Sequence, residues 1–137
     1  RAFVWLEETM ISSDLRFTAN HCWVRDEGDL WVVGITDYAQ EQMGDLTFVE
    51  LPELDEHVDA DDEIAVVESV KSANSIFAPA AGKIVAINEA LLEQPELVNQ
   101  DPFGRGWLFK MKPDDPSGLE NLLDTDAYEA FLPEEDE

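Results

Sequence analysis

The alternation of apolar and polar positions predicts a chain of short strands. Residues 22–25 and 30–35 are rich in Trp and Val. They flank Asp26-Glu27-Gly28-Asp29, which supplies the Asp and Gly that tight turns favour, so a β-hairpin is predicted there. Residues 46–51 read as a strand ended by Pro52, followed by an acidic turn region around His57. Residues 63–70 are β-rich, and the pattern resumes at 75–77 beyond a short polar tip. Ala78-Pro79-Ala80-Ala81-Gly82 predicts a turn, 83–87 a strand, and 107–111 a last strand closed by Pro113. A strand, glycine-containing turn, strand pattern occurs around Gly44 and again around Gly82, which is too little to establish a repeat.

Helical spacing is confined to a few places. Thr36 to Met43 predicts one short helix, with Thr36 as N-cap and Gly44 as the C-terminal stop. Residues 88–100 carry Leu91, Leu92 and Leu97 around Pro95, which predicts a helical turn and then a loop. Leu119, Leu122, Leu123, Tyr128 and Phe131 recur at roughly helical intervals, predicting one or two terminal helices packed on the sheet. The expected fold is mainly β, a β-sandwich or flattened barrel with short, mostly C-terminal helices. One domain over 1–137 is expected, with 1–10 as an N-terminal extension and 133–137 as an acidic tail. Phe3, Val4, Trp5 and Leu6 suit an edge strand or helix, and Met10 is an alternative start position.

Composition narrows the function. The 137 residues carry 32 acidic and 8 basic side chains, a formal net charge of −24. Such a surface repels phosphate backbones and anionic membranes. Two readings of the acidity remain open: steering onto basic partner faces, and adaptation to high salt, where screening reduces self-repulsion. The sequence shows neither a membrane-spanning run nor a secretory signal, so a cytoplasmic monomer is expected. Cys22 is the sole cysteine, and His21 and His57 lack metal-ligand spacing, so no metal site is expected. No nucleophile–base pair or phosphate loop argues for an enzyme. The acidic runs read as solvated faces, and the four tryptophans as packing residues.

Against this background Lys71 stands out. Only four lysines occur, Lys71, Lys83, Lys110 and Lys112, and Lys71 lies at the polar tip between two strand-like segments. A solvated amine there is open to an acylating enzyme.

The residues around it resemble a known family, the H protein of the glycine cleavage system. The resemblance runs from about Leu15 to Phe131. It includes Val33-Gly34-Ile35-Thr36-Asp37-Tyr38-Ala39-Gln40, Phe48-Val49-Glu50-Leu51-Pro52, Val67-Glu68-Ser69-Val70-Lys71, Pro95-Glu96-Leu97-Val98-Asn99 and Gly106-Trp107-Leu108. It implies a lipoyl/biotinyl-domain-like sandwich and lipoate in amide linkage on Lys71, acting as a swinging arm for an aminomethyl group. Glu68, three residues before the lysine, is implied in ligase recognition. The implied partners are a lipoate–protein ligase or lipoyl synthase, a dihydrolipoamide dehydrogenase, a glycine decarboxylase and an aminomethyltransferase. A biotin carrier is the rival on the same architecture, but such carriers place Met on both sides of the lysine, where this chain has Val70 and Ser72.

The resemblance breaks at the residues implied to hold the loaded arm. The family's His-Glu-Trp-Val run is His21-Cys22-Trp23-Val24 here, and the matching arm-contact positions are Asn20, Cys22 and Ser75, with His21 beside them. A carboxylate pairs with a cationic amine, whereas a thiol or hydroxyl bonds it weakly. This leaves a second context open, the lipoate-binding proteins of sulfur oxidation that work with a heterodisulfide-reductase-like complex and carry sulfur cargo. A free cysteine is most often a small buried hydrophobe. Contact with lipoyl sulfurs would instead require exposure and thiolate character.

Overall fold

A computed structural model describes residues 15–28 and 30–131. The expectations for residues 1–10 and 133–137, and for Asp29 in the first turn, lie outside the described residues. Among the described residues nine strands form two antiparallel sheets. The larger has the order β1 (Leu15–Phe17), β2 (Cys22–Asp26), β3 (Trp31–Ile35), β9 (Phe109–Pro113), β8 (Gly82–Ile87), β5 (His57–Val58). The smaller has the order β4 (Leu46–Glu50), β6 (Glu63–Ser69), β7 (Ala73–Phe77). Neither sheet closes on itself, so the expected sandwich is present and the barrel alternative is not. The helices are α1 (Asp37–Met43), α2 (Ala90–Glu93), α3 (Glu96–Gln100), a 3-10 turn at Pro116–Asn121, and α4 (Thr125–Phe131).

Strands β2 and β3 of the larger sheet are covered on both faces. Strand alternation sends Cys22, Val24, Trp31, Val33 and Ile35 into the main core against Val49, Val67 and Ile76 of the smaller sheet. Trp23 and Val32 point the other way, into a second cluster with Leu15, Phe17 and Tyr128. Trp23 is wholly buried and lies over Gly34, where a Cβ would come within 2.7 Å of the indole. Only a glycine leaves room for that ring opposite it in the β2–β3 register.

Several local expectations need revision. Leu15–Phe17 forms a strand that three residues are too few to announce by periodicity. Residues 96–100, expected as loop, form α3, and Pro95 immediately precedes it where its missing N–H costs nothing. His57 lies in a two-residue strand paired with β8 rather than in a free turn. The last strand starts at Phe109, because Trp107 is held in the preceding loop by bonds to Gly104 and Asn88. The apparent echo also dissolves: Gly44 caps a helix, whereas Gly82 lies within β8 against the Lys112 carbonyl.

Candidate functional site

Val70, Lys71 and Ser72 join β6 to β7, and the Ser69–Ser72 pairing leaves Val70-Lys71 as a two-residue tip. The Ser69 amide donates to the Ser72 carbonyl at 2.8 Å, and the Ser72 amide donates to Ser69 Oγ at 3.2 Å. Two-residue hairpins usually need left-handed residues. Neither Val70 nor Lys71 has a positive φ, and the Ser69 hydroxyl takes over as local acceptor. Both tip side chains therefore project outward: Val70 is 92% exposed and Lys71 is exposed. Among the described residues Lys71 enters no ion pair.

The stem of Lys71 passes close to the C-terminal end of α1. A Cβ built on Gly44 would meet Lys71 Cε at 3.7 Å. Gly44 has φ +85 and returns its N–H to the Gln40 carbonyl, a conformation that glycine adopts without strain. Asn99 of α3 fixes this corner. Its Nδ2 donates to the Gly44 carbonyl at 2.9 Å and to Gln40 Oε1 at 2.8 Å, while its Oδ1 accepts from the Leu46 amide at 2.9 Å.

The other end of α1 meets His21. Thr36 caps the helix by accepting from the Ala39 amide, and its Oγ1 shares a 2.8 Å hydrogen bond with Tyr128 Oη. The same hydroxyl is hydrogen-bonded to His21 Nδ1 at 2.9 Å, and the His21 ring lies 4.8 Å from that of Tyr38. His21 is held at φ +68, in the left-handed region. Burial lowers its pKa, so stability tied to its neutral ring is present above the ordinary 6.5 and lost as pH falls through the depressed value. Burial likewise raises the Tyr128 hydroxyl.

The residues expected at one site fall into three places. Glu68 and Lys71 share the hairpin. Asn20, His21 and Cys22 lie at the start of β2. Ser75 is on the outward face of β7, where its hydroxyl donates to Glu63 Oε2. Helix α1 reaches both the β2 end, through Tyr38, and the hairpin, through its C-cap Gly44. At about 1.5 Å per residue its seven residues separate the two ends by roughly 10 Å.

Cys22 is corrected as an arm contact. It is 0% exposed inside the main core, and burial pushes its thiol up to about 12 against the opposing hydrogen bond from Thr18. A thiol so placed is neither exposed nor a thiolate. Tyr38, Tyr128 and Asn99 were not singled out from the sequence as site residues. Only Gly44, flagged as a helix stop, pointed to this corner.

His57 is exposed and bonded through Nε2 to Asp114 Oδ2 at 2.7 Å. That hydrogen bond first, then the Asp114 charge, raises its pKa; desolvation opposes them, and the Asp59 and Asp62 charges add lesser upward pulls. The pair's contribution is complete below 6.5 and is lost as pH rises through the higher folded value. In an NMR titration His57 is expected to titrate above 6.5 and His21 below it. Asp114→Asn should return the His57 midpoint toward 6.5, and an unmoved midpoint would contradict the pairing. Among the described residues no helix is long and apolar enough to cross a membrane, and no group of His, Cys, Asp and Glu side chains could hold a metal.

Residues 15–135 match the family described as Glycine cleavage H-protein. The chain belongs to that family. The glycine cleavage system H protein of Idiomarina loihiensis is 54% identical over 126 residues, covering 91% of this chain and 98% of the relative. That of Coxiella burnetii is 52% identical over 121 residues, covering 88% and 93%. The crystal structure of a glycine cleavage system H protein from Mycobacterium marinum superposes with a TM-score of 0.79 at 37% identity, covering 85% of this chain and 94% of the other. Family membership accounts for the sandwich and its order of elements, with Lys71 at an outer corner.

Proposed function

We propose that the protein is a lipoyl carrier of glycine cleavage and has no catalytic activity of its own. Lys71 takes lipoate in amide linkage. The observation that carries this reading is the placement of Lys71: an exposed side chain at the tip of a two-residue hairpin, free of ion pairs among the described residues, in a chain of this family. The tip fits the group. An amine on a stem that passes Gly44 is accessible to acylation while Ser69 and Ser72 hold the tip backbone.

Once bound, lipoate supplies a dithiolane whose sulfurs can be reduced and can carry an aminomethyl group between enzymes. The chain's own residues present and orient it. Ser69 and Ser72 hold the tip in register, Asn99 fixes the corner beneath the stem, and Glu68 marks the hairpin for the attaching enzyme. The roughly 10 Å from Gly44 to the His21–Tyr38–Tyr128 group lies within reach of an extended lysine-plus-acyl chain, so these rings are the proposed resting surface. Asn20 stays at the edge of that surface. Its amide donates to Thr18 Oγ1 and its side chain is exposed. Tethering confines the group near its partner enzymes at high effective concentration. Those partners are the attaching ligase or lipoyl synthase, a dihydrolipoamide dehydrogenase, a glycine decarboxylase and an aminomethyltransferase.

One observation favours a second cargo. Cys22 is sealed in the core and the Ser75 hydroxyl is already bonded to Glu63, so neither position offers a free carboxylate to a cationic amine. A sulfur-carrying role with a heterodisulfide-reductase-like complex follows if decarboxylase and aminomethyltransferase fail to use the loaded protein. The 54% and 52% identical relatives, both named for glycine cleavage, support the first reading.

The test is attachment in vitro. The purified protein, lipoate, ATP and a lipoate–protein ligase should give one lipoyl group per chain, mapped by peptide mass to Lys71. Modification spread over Lys83, Lys110 and Lys112, or none at all, would contradict the proposal.

A further inference from the structure

The outward face of the larger sheet gathers cations in a chain that is mostly acidic. Phe109, Met111 and Ile84 are wholly buried in the main core, so Lys110, Lys112 and Lys83 on the same strands face the other way. Lys83 and Lys112 are direct cross-strand partners, and His57 pairs with Lys83 on its other side. Three of the four lysines thus stand on the adjacent strands β8 and β9. Strands β3, β9 and β8 hold no acidic residue, although 32 of the 137 residues are acidic. Like charges placed directly opposite each other weaken a sheet. The nearby carboxylates serve the far end of the row: Asp114 bonds His57, and Asp55 reaches Lys83 at 3.7 Å in an exposed pair. Among the described residues neither Lys110 nor Lys112 enters an ion pair. Lys112 is exposed, and the Lys110 ammonium lies 5.2 Å from the centre of the Trp107 ring.

We infer that this lysine stripe is an assembly contact, which holds an extended acidic segment of a partner protein. Lys110 and Lys112 are two residues apart on one strand, so their side chains share a face at a spacing of about 7 Å. Alternate carboxylates of an extended segment have the same spacing. Lys83 adds a third cation about 5 Å from Lys112 on the neighbouring strand. Charge and screening select this occupant. At physiological salt a charge is screened beyond about 8 Å, so a short segment feels the lysines more than the remote acids. A nucleic acid, an anionic membrane or a second copy of this chain would instead bring extended negative charge against a molecule of −24. The stripe lies on the outer face of the larger sheet, whereas Lys71 is at the tip of the smaller one. A partner held on the stripe leaves the hairpin uncovered. The inference goes beyond the carrier reading and does not require Lys71 to be modified.

The test has two parts. First, the isotope-labelled full chain is titrated by NMR with a short synthetic peptide of alternating glutamate and threonine. Amide shifts are expected on β8 and β9 and should fade as salt is raised. Lys110→Gln and Lys112→Gln should each weaken binding about threefold, and together about tenfold. Lys112→Arg should keep the affinity, and Lys71→Gln should leave it unchanged. Lys112→Gln should not lower thermal stability, because it removes one of two opposed like charges, whereas loss of a merely structural residue would lower it. Second, the loaded carrier is varied in a reconstituted system of decarboxylase, aminomethyltransferase and dehydrogenase. The Lys110→Gln, Lys112→Gln double variant should raise the carrier KM about tenfold at unchanged kcat, and free peptide should compete with the wild-type carrier. Absence of peptide-dependent shifts at low salt would overturn the inference. So would equal shifts with oligothymidylate or phosphatidylserine vesicles, a self-association lost in the double variant in place of peptide binding, or a wild-type KM in the double variant. A loaded wild-type carrier that none of these enzymes uses would overturn the proposed function instead, and the peptide titration would then decide this inference alone.

Discussion

Lys71→Arg should remove all carrier activity and leave the fold unchanged. Arginine keeps the positive charge and the reach, but its guanidinium does not lose a proton under protein conditions and offers no nucleophilic amine for amide formation. The tip is exposed and its hydrogen bonds come from Ser69 and Ser72, not from the lysine. Stability should therefore stay within about 0.5 kcal/mol of wild type. The check is paired: denaturant unfolding of both proteins, and ligase-dependent mass gain on each. Mass gain on the variant would show that another lysine is the acceptor. A large loss of stability would show that the Lys71 stem braces the α1 corner rather than merely passing it.

Trp23→Ala should carry the largest cost in stability. Trp23 is fully buried in the second cluster, its ring overlies Gly34, and its Nε1–H donates to the Pro102 carbonyl at 2.9 Å. Its ring is tilted against Phe103 at 5.8 Å and lies beneath the Arg25 guanidinium at 5.2 Å. Removing it opens a cavity and leaves the Pro102 carbonyl without its donor. A loss of about 3–5 kcal/mol is expected from the size of the deleted group. Because His21 immediately precedes β2, the loss should loosen the aromatic group at the N-terminal end of α1 as well. Urea unfolding measures the first effect, and the His21 titration midpoint, moving back toward 6.5, reports the second. A loss near 1 kcal/mol would mean that the second cluster is peripheral to stability.

Much of the sandwich is legible because its signals are local. Thr36 and Gly44 bracket α1 in the sequence and do so in the structure. Asp26 and Gly28 mark the first hairpin, where the Gly28 amide donates to Asp26 Oδ1 at 3.0 Å. Lys71 is legible for the same reason, as a polar tip between two β-rich runs. What escapes is non-local. His21 and Tyr128 are 107 residues apart, and Asn99 reaches residues 53 to 59 positions away. No periodicity links such positions. The burial of Cys22 is similar. Alternation assigns it a face, but both faces of β2 are covered, by Val49, Val67 and Ile76 on one side and by Leu15, Phe17 and Tyr128 on the other, and most of these lie far from it in the sequence. The three places over which Asn20, His21, Cys22, Ser75, Glu68 and Lys71 are spread are likewise set by how the two sheets and α1 pack.

The central claim is that one amine at a hairpin tip is the anchor of a lipoyl arm. Intact-mass and peptide analysis of the protein purified from lipoylation-competent cells tests it most directly. One lipoyl group, carried on the peptide containing Lys71, is the predicted result. A chain at its unmodified mass, or a lipoyl group on Lys83, Lys110 or Lys112 in place of Lys71, would contradict it.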